Sequence, residues 1–281
     1  MDRCIGSLRC SEYPVDTVVI DNGSQDATVS LLKERYPEVH VVCNRENLGF
    51  GKANNIGMRL ALEKGYDAVF LLNQDAWIDP NTIGTLVALC RKYPSFGILS
   101  PVHLTGKGDA IDAGFADYTG IHTTEELPHS EITEVPFVNA AFWMIPTSVL
   151  RTVGGFSPLF YHYGEDVDFV HRLHYHGLEV GYAPVFGNHD RELRTITKPM
   201  EYRAKCVYLL TAYANINHSF GYAFTKAIGG GCEQVVKSLK RGLWKDATVY
   251  LQRTCSLLLK SGKIYRIRTL YRKPGSHFIT R

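Results

Sequence analysis

Carboxylates recur in this chain in three motifs: Asp21 and Asp26 in DNGSQD, Asp75 in NQD, and Glu165, Asp166 and Asp168 in EDVDF. A cation held by carboxylates can stabilise a leaving group of dense negative charge, and a single carboxylate can take the proton of an attacking hydroxyl. Each motif ends a hydrophobic strand-like run or opens a helix-like one. In an open α/β sheet that is the edge where ligands bind. The combination points to a site for a nucleotide sugar.

Each motif also has a plainer reading. A strand ending in Asn73-Gln74-Asp75 can be an ordinary solvated turn. Glu165, Asp166 and Asp168 can simply complement the dipole of a helix start. Asp21 could accept the imide N–H of a pyrimidine, with Asn22-Gly23-Ser24 making a tight turn, or the whole segment could be a βα turn capped by Asp26. Gly49-Phe50-Gly51 resembles a phosphate-binding turn opening a helix, although Asn54 stands where a dinucleotide fingerprint needs its third glycine. His162, His171, His174 and His176 fit no zinc register and read as an exposed helix face. His189 ends a strand at the same edge and could ligate a cation or a phosphate, or be structural.

The elements that must position these residues alternate. Val15 to Ile20 is a continuous apolar, β-branched run, as in a strand covered on both faces. Val29, Leu32 and Tyr36 then recur at helical spacing, and a second strand is expected at Val39 to Val42. A helix follows with Ala53, Ile56, Leu60 and Ala61 on one face, closed by Gly65. Ala68 to Leu72 reads as a strand, the stretch after Pro80 as a helix, and Phe96 to Leu99 as a strand. Residues 101 to 135 read as a loop-rich insertion. Regular structure resumes with FVNAAFWMIP, a helix at Thr147 to Val153, a helix from Glu165 and the strand LEVGYAP; beyond about Arg191 the sequence looks helical. This alternation predicts an α/β fold with a doubly wound, mostly parallel sheet.

Composition narrows the classes. The seven cysteines are scattered with no CxxC pair, which argues against structural zinc and redox chemistry and fits reduced thiols in a cytosol. No run of about 18 apolar residues occurs, so a soluble or peripheral protein is expected. The net charge of +3 hides an asymmetry: residues 1 to 231 carry 19 Lys+Arg against 26 Asp+Glu, and residues 232 to 281 carry 12 against 2. In that basic tail Lys237, Lys240, Arg241 and Lys245 sit at helical spacing beside Val236, Leu239 and Leu243. Such a helix could lie on an anionic membrane or pack as a helical subdomain. No nucleic-acid recognition motif accompanies it.

The order DNGSQD, NRENLGFGKANNIG, LLNQD, FVNAAFWMI, GGF, YGEDVDF and His189 resembles the inverting family 2 glycosyltransferases of GT-A (Rossmann-like) fold. It is most similar to the bacterial branch with rhamnosyl- and galactofuranosyltransferases of cell-surface polysaccharides. The resemblance covers roughly residues 4 to 190. It implies that Asp21 contacts the nucleobase, that Asn22, Asn47, Gly49, Asn54 and Asn73 line the donor pocket, and that Asp75 and His189 hold a divalent cation, Mn²⁺ or Mg²⁺. It further implies that Asp166 is the catalytic base and that Glu165, Asp168 and Asn139 serve the acceptor, with Glu165 and Asp168 also supporting helix geometry. The partners would be a nucleoside diphosphate sugar and a glycan or glycolipid acceptor, met in the cytoplasm or at the inner face of the cell membrane. Three regions are expected: 1–100 for the donor, 101–195 for acceptor and catalysis, and 196–281 as a basic helical extension.

The chain departs from the family where Ala140 and Ala141 follow Asn139 and where Ser157-Pro158 follows GGF. Family members also begin with a central strand of the VSVIIVTYN kind, whereas Met1 here falls in the helix after it. The expectation is that this strand is missing, through a misplaced start codon or a truncated gene, with an in-frame apolar strand encoded upstream as its check. The rival readings are a sugar-phosphate nucleotidyltransferase, which would show a glycine- and Arg/Lys-rich pyrophosphate loop in its first βα turn, and a non-catalytic nucleotide-sugar-binding relic.

Overall fold

A computed structural model describes residues 1–190 and 197–279. The chain opens with α1 (Asp2–Arg9), β1 (Val18–Asp21), α2 (Thr28–Arg35), β2 (His40–Cys43), α3 (Phe50–Lys64) and β3 (Ala68–Leu72). It continues through β4 (Ala76–Ile78), α4 (Thr82–Lys92), β5 (Phe96–Thr105), α5 (Ala113–Thr119), β6 (Thr133–Glu134), β7 (Phe142–Pro146), α6 (Thr147–Val153), α7 (Glu165–Tyr175) and β8 (Glu179–His189). Four helices complete it: α8 (Lys198–Ala214), α9 (Phe220–Lys240), α10 (Trp244–Leu259) and α11 (Ser261–Tyr271).

The strands form two sheets. β1 and β2 pair in parallel by themselves. The others make a six-stranded sheet in the order β3-β7-β5-β8-β4, with β6 also on β8. In this larger sheet β5 and β8 run parallel while β3, β4 and β6 join antiparallel. The α/β fold is as expected, but the pairing is mixed rather than mostly parallel. The reason lies in 76–78, where the chain turns back after Asp75 as an unforeseen short strand, and in β7, which runs against both neighbours.

β7 shows how the sheet is covered. Phe142 and Met144 enter a core with Leu86, Leu99 and Ala183, whereas Trp143 and Ile145 enter the other core with Phe156, Phe169 and Tyr182. A strand of period two that is buried at both phases has helices on both faces. Trp143, Phe156 and Phe169 form one aromatic stack with centroids 5.4 to 5.9 Å apart. Truncating any one of these fully buried rings to Ala costs about 3–5 kcal/mol.

β5 is longer than expected and continues through the supposed insertion to Thr105. The C-terminal helices are tied back to the sheet domain. Asn55 donates to the Phe278 carbonyl, His277 O accepts from Gly155 N, and Ile279 is buried in the main core. The expected 195/196 boundary lies outside the described residues.

Between β1 and β3 no strand pairs are formed, and a groove of about 1130 Å³ separates them. Its walls include Val18, Val19 and Ile20 on one side and Val69, Phe70 and Leu72 on the other, with Ile5 and Leu8 of α1 at one end. This is the place where the family resemblance expects a central strand.

Candidate functional site

At the C-terminal ends of β1 and β3 the groove is lined by polar side chains. Asp21, Asn22, Asn47, Gly49, Asn54 and Asn73 all line it, and so does Asp75. Every residue expected to meet the donor is therefore on one cavity.

Its first wall is a closed hydrogen-bond network. The Asp21 carboxylate, 6 % exposed, accepts from Gly23 N at 3.3 Å and Ser24 N at 3.2 Å, which folds the DNGSQD turn over the end of β1. Asp26 also holds the start of α2, accepting from Thr28 N at 3.0 Å. Asn22 donates to Asn47 Oδ1 at 2.9 Å, while its own Oδ1 accepts from Leu48 N at 2.9 Å. Asn47 Oδ1 in turn accepts from Gly49 N. The asparagines thus bind two loops together and hold the backbone that precedes α3.

Gly49 is required twice over. Its φ of +82° lies in the left-handed region, and a Cβ there would stand 2.1 Å from the carbonyl oxygen of Tyr161. Tyr161 also donates its hydroxyl to Asn47 O at 3.2 Å. The loop before α7 is in this way clamped to the loop before α3, and Tyr161 and His162 form part of the groove's lining.

The other wall ends in Asn73, Gln74 and Asp75. Asp75 is exposed, and its backbone carbonyl accepts from Asp190 N at 2.8 Å. The preceding Asn73 is held by its N–H to Ala141 O at 3.2 Å. An exposed carboxylate with two neighbouring amide side chains offers the hard oxygen ligands that Mg²⁺ or Mn²⁺ takes.

The acidic helix start divides into three roles. Glu165 is 4 % exposed, and its Oε2 has no hydrogen-bond partner. Burial, reinforced by the neighbouring Asp166 and Asp168 charges, pushes its pKa up to about 7. Asp166 is half-buried, with Oδ1 accepting from Val167 N at 2.8 Å. Asp168 is 1 % exposed and paired at 2.9 Å with an equally buried Arg172, whose attraction opposes the rise that burial imposes on the carboxyl. Arg172 also donates to the carbonyls of Val153 and Gly155. In the structure Asp168 is buried and paired with Arg172, and through that pair it anchors α7 against the Gly154 turn. The helix begins from a strained connection, Tyr163 at φ +69° followed by Gly164 at φ +85°.

Asn139 lies in front of β7, donating to the Tyr118 hydroxyl at 2.8 Å and accepting from Ala141 N at 3.2 Å. His189 is opposite Ala76 in the β4–β8 pair, so it comes from the same sheet edge as Asp75. Its imidazole, 3 % exposed, is packed away from the groove beside His103 and Asp112. Those two residues were missed in the sequence, where nothing in their spacing marks them. The histidines of α7 form no metal cluster among the described residues, and burial moves His171 down to about 4. All seven cysteines are free thiols.

Comparison with known proteins agrees with this geometry. The profile of Glycosyl transferase family 2 matches residues 1–154. Over 213 residues the chain is 28 % identical to N-acetylglucosaminyl-diphospho-decaprenol L-rhamnosyltransferase of Mycobacterium tuberculosis, spanning 66 % of this chain and 69 % of that protein. It is 25 % identical over 177 residues to a low-salt glycan biosynthesis hexosyltransferase of Haloferax volcanii, spanning 60 % and 56 %. Among solved structures, GalNAc-T7 with UDP, GalNAc and Mn²⁺ superposes with a TM-score of 0.55 at 15 % identity, over 75 % of this chain and 44 % of that one. Staphylococcus aureus TarS 1–349 in complex with UDP gives 0.52 at 14 % identity, over 81 % and 65 %. These structures share the GT-A fold with the chain. With a family profile covering more than half of its length, set over the groove that gathers its motifs, the protein belongs to glycosyl transferase family 2.

Proposed function

We propose that this glycosyltransferase moves a sugar from a nucleoside diphosphate to a hydroxyl of a glycan or lipid-linked glycan, with inversion, in the assembly of a cell-surface polysaccharide. The observation that carries the reading is the convergence of Asp21, Asn22, Asn47, Gly49, Asn54 and Asn73 with Asp75 on one groove. Asp21 and the asparagine network fit the nucleoside, and the Gly49 turn with the start of α3 fits the phosphates. A divalent cation at Asp75 would neutralise charge on the departing diphosphate. Asp166 accepts the acceptor's proton while the acceptor oxygen bonds the anomeric carbon and the bond to the diphosphate oxygen breaks. One such displacement inverts the centre without a covalent enzyme intermediate. The mycobacterial relative's name includes a diphospho-decaprenol, which favours a lipid-linked acceptor here.

Thermal unfolding with UDP, dTDP and GDP, each with and without Mn²⁺, tests the donor site. Ligand at about 100 times its Kd adds about 2.7 kcal/mol to stability. One nucleotide is expected to raise Tm only with the metal, and Asp75→Asn to erase the metal-dependent part. A chain indifferent to all three nucleotides would defeat the reading.

The elbow between α9 and α10 suits a membrane-bound acceptor. Val236, Leu239, Leu243 and Trp244 are exposed there, Trp244 by 70 %, and Lys240, Arg241 and Lys245 surround them. The opposite face packs closely, since a Cβ on Gly231 would meet Thr254 Oγ1 at 2.2 Å. No helix among the described residues is long and apolar enough to cross a membrane. We propose peripheral contact, in which each Lys or Arg near an anionic surface contributes about 1 kcal/mol. Flotation with vesicles rich in anionic lipid should carry the protein upward, and Trp244→Ser with Lys240→Glu should leave it in the pellet fraction. Equal flotation of the two proteins would rule this surface out.

A further inference from the structure

The turn at Gly154, Gly155 and Phe156 is gripped from three directions. From α3, the buried side chain of Asn55 donates to Phe156 O at 2.9 Å and accepts from Phe156 N at 2.7 Å, a link across 101 positions of sequence. From α7, Arg172 donates to Val153 O at 2.7 Å and to Gly155 O at 2.8 Å while paired with Asp168. The third grip is the segment after α11. There Gly275 N donates to Thr152 O at 2.9 Å, and His277 O accepts from Gly155 N at 2.8 Å.

That segment, with the last residue of α11, also reaches the other two grips. Phe278 O accepts from Asn55 Nδ2 at 3.2 Å, and Arg172 Cζ lies 4.8 Å from the centre of the Tyr271 ring. At the end of α7, His176 Nε2 meets Tyr271 O at 2.8 Å. Ile279, 3 % exposed, seats in the main core with Phe156 and Phe169. There is no spare room: a Cβ on Gly154 would stand 2.5 Å from His277 O, and one on Gly155 would stand 2.4 Å from Asn55 Oδ1 and 2.7 Å from Ile279 Cγ1. Phe278 holds φ at +68°, a conformation that a bulky residue keeps only where its surroundings impose it.

None of residues 275–279 lines the groove, yet they tie together the helices that flank it. α3 follows the Gly49 turn, and α7 carries Asp166 in its first turn. We propose that residues 275–279 are a positioning strap for glycosyl transfer, with Ile279 and Asn55 as positioning residues that fix α7 against α3. The strap would thereby set the separation between the base and a donor held at the Gly49 turn. This rests on the roles proposed above for Asp166 and Gly49. A misplacement of about 1 Å made far from the reacting atoms can cost about 10²-fold in rate.

The test compares Ile279→Ala, in the full chain, with Ile264→Ala, which empties a similarly buried position in the separate cluster around Tyr213. Both variants should lower Tm, and transfer is assayed well below both transitions. Ile279→Ala should lower kcat by at least about 10-fold, with the donor KM and the nucleotide-dependent rise in Tm unchanged. Ile264→Ala should keep the parent's kcat. Ile279→Val should lose only a few-fold, and set against Ile264→Val it carries the comparison if the alanine variant does not fold. Equal kcat for substitutions at the two positions, or a loss confined to donor KM, would overturn the strap while leaving the glycosyl-transfer reading in place. A parent chain that transfers no sugar would remove that reading, and the strap with it.

Discussion

Asp166→Asn is expected to lower turnover by about 10²–10⁴-fold, the usual contribution of a positioned general base, while the nucleotide-dependent rise in Tm persists. The substitution keeps size and the hydrogen bond from Val167 N but removes the oxygen basicity that the acceptor's proton requires. Asp166 lies outside the residues that line the groove, so the variant separates the proposed proton transfer from the proposed donor binding. A variant that turns over as fast as the parent would remove Asp166 from the chemistry. An inactive parent that still binds nucleotide would favour a relic, and binding without hydroxyl glycosylation but with sugar-phosphate nucleotidyl transfer would favour the rival enzyme class.

Glu165 carries the second large effect, read in stability. Its folded pKa is raised to about 7 from an ordinary 4.5, chiefly by burial. A raised carboxyl pKa means that the folded state binds the proton more tightly than the unfolded chain does. The stabilisation is therefore fully present below about pH 4.5 and is lost as pH rises through about 7. At about 1.4 kcal/mol per pH unit the loss amounts to about 3 kcal/mol. Urea unfolding at pH values from about 4 to about 8, which bracket both pKa values, should show it, and Glu165→Gln should flatten the slope and be the more stable protein at pH 8. A parent and variant with parallel pH profiles would show that Glu165 is not the group responsible. Because the same carboxyl opens α7 beside Asp166, its ionisation also changes the field at the Asp166 carboxylate.

The sequence was most legible where local chemistry decides. β3 at Ala68–Leu72, α6 at Thr147–Val153, the start of α7 at Glu165 and the left-handed cap at Gly65 follow from apolar runs, helical spacing and glycine. The residues proposed for the donor were legible because their order along the chain is itself a pattern, and they line one groove. What stayed hidden depends on tertiary contacts. The three-residue β4 has too few residues for a period, and it exists because β8 pairs with it. β5 runs on to Thr105 by pairing with β8, whereas Pro101 and the mixed polar residues around it give no strand pattern in the sequence. Asp168 read as a helix-start carboxylate or an acceptor residue, but its buried pairing with Arg172 one helical turn later, and Arg172's bonds to the Val153 and Gly155 carbonyls, could not be read from the sequence. His103 and Asp112 carry no spacing that announces them, and their meeting with His189 is made by strand register alone.

The seam between β1 and β3 is bridged by packing and not by strand hydrogen bonds among the described residues. Val18–Asp21 and His40–Cys43 hydrogen-bond only to each other as strands, and they meet the larger sheet through packing of α1, α3 and the groove walls. Units joined by few backbone bonds open at lower free energy than the strands at a sheet's centre. A donor touching Asp21 on one bank and Asp75 on the other would then act as a rivet: part of its intrinsic binding free energy goes into holding the two banks at one separation. Measured nucleotide affinity would fall short of the affinity of the assembled pocket by the fraction of molecules in which the banks are already aligned. The nucleotide titration of Tm described above therefore reports the stiffness of this seam as well as the fit of the base.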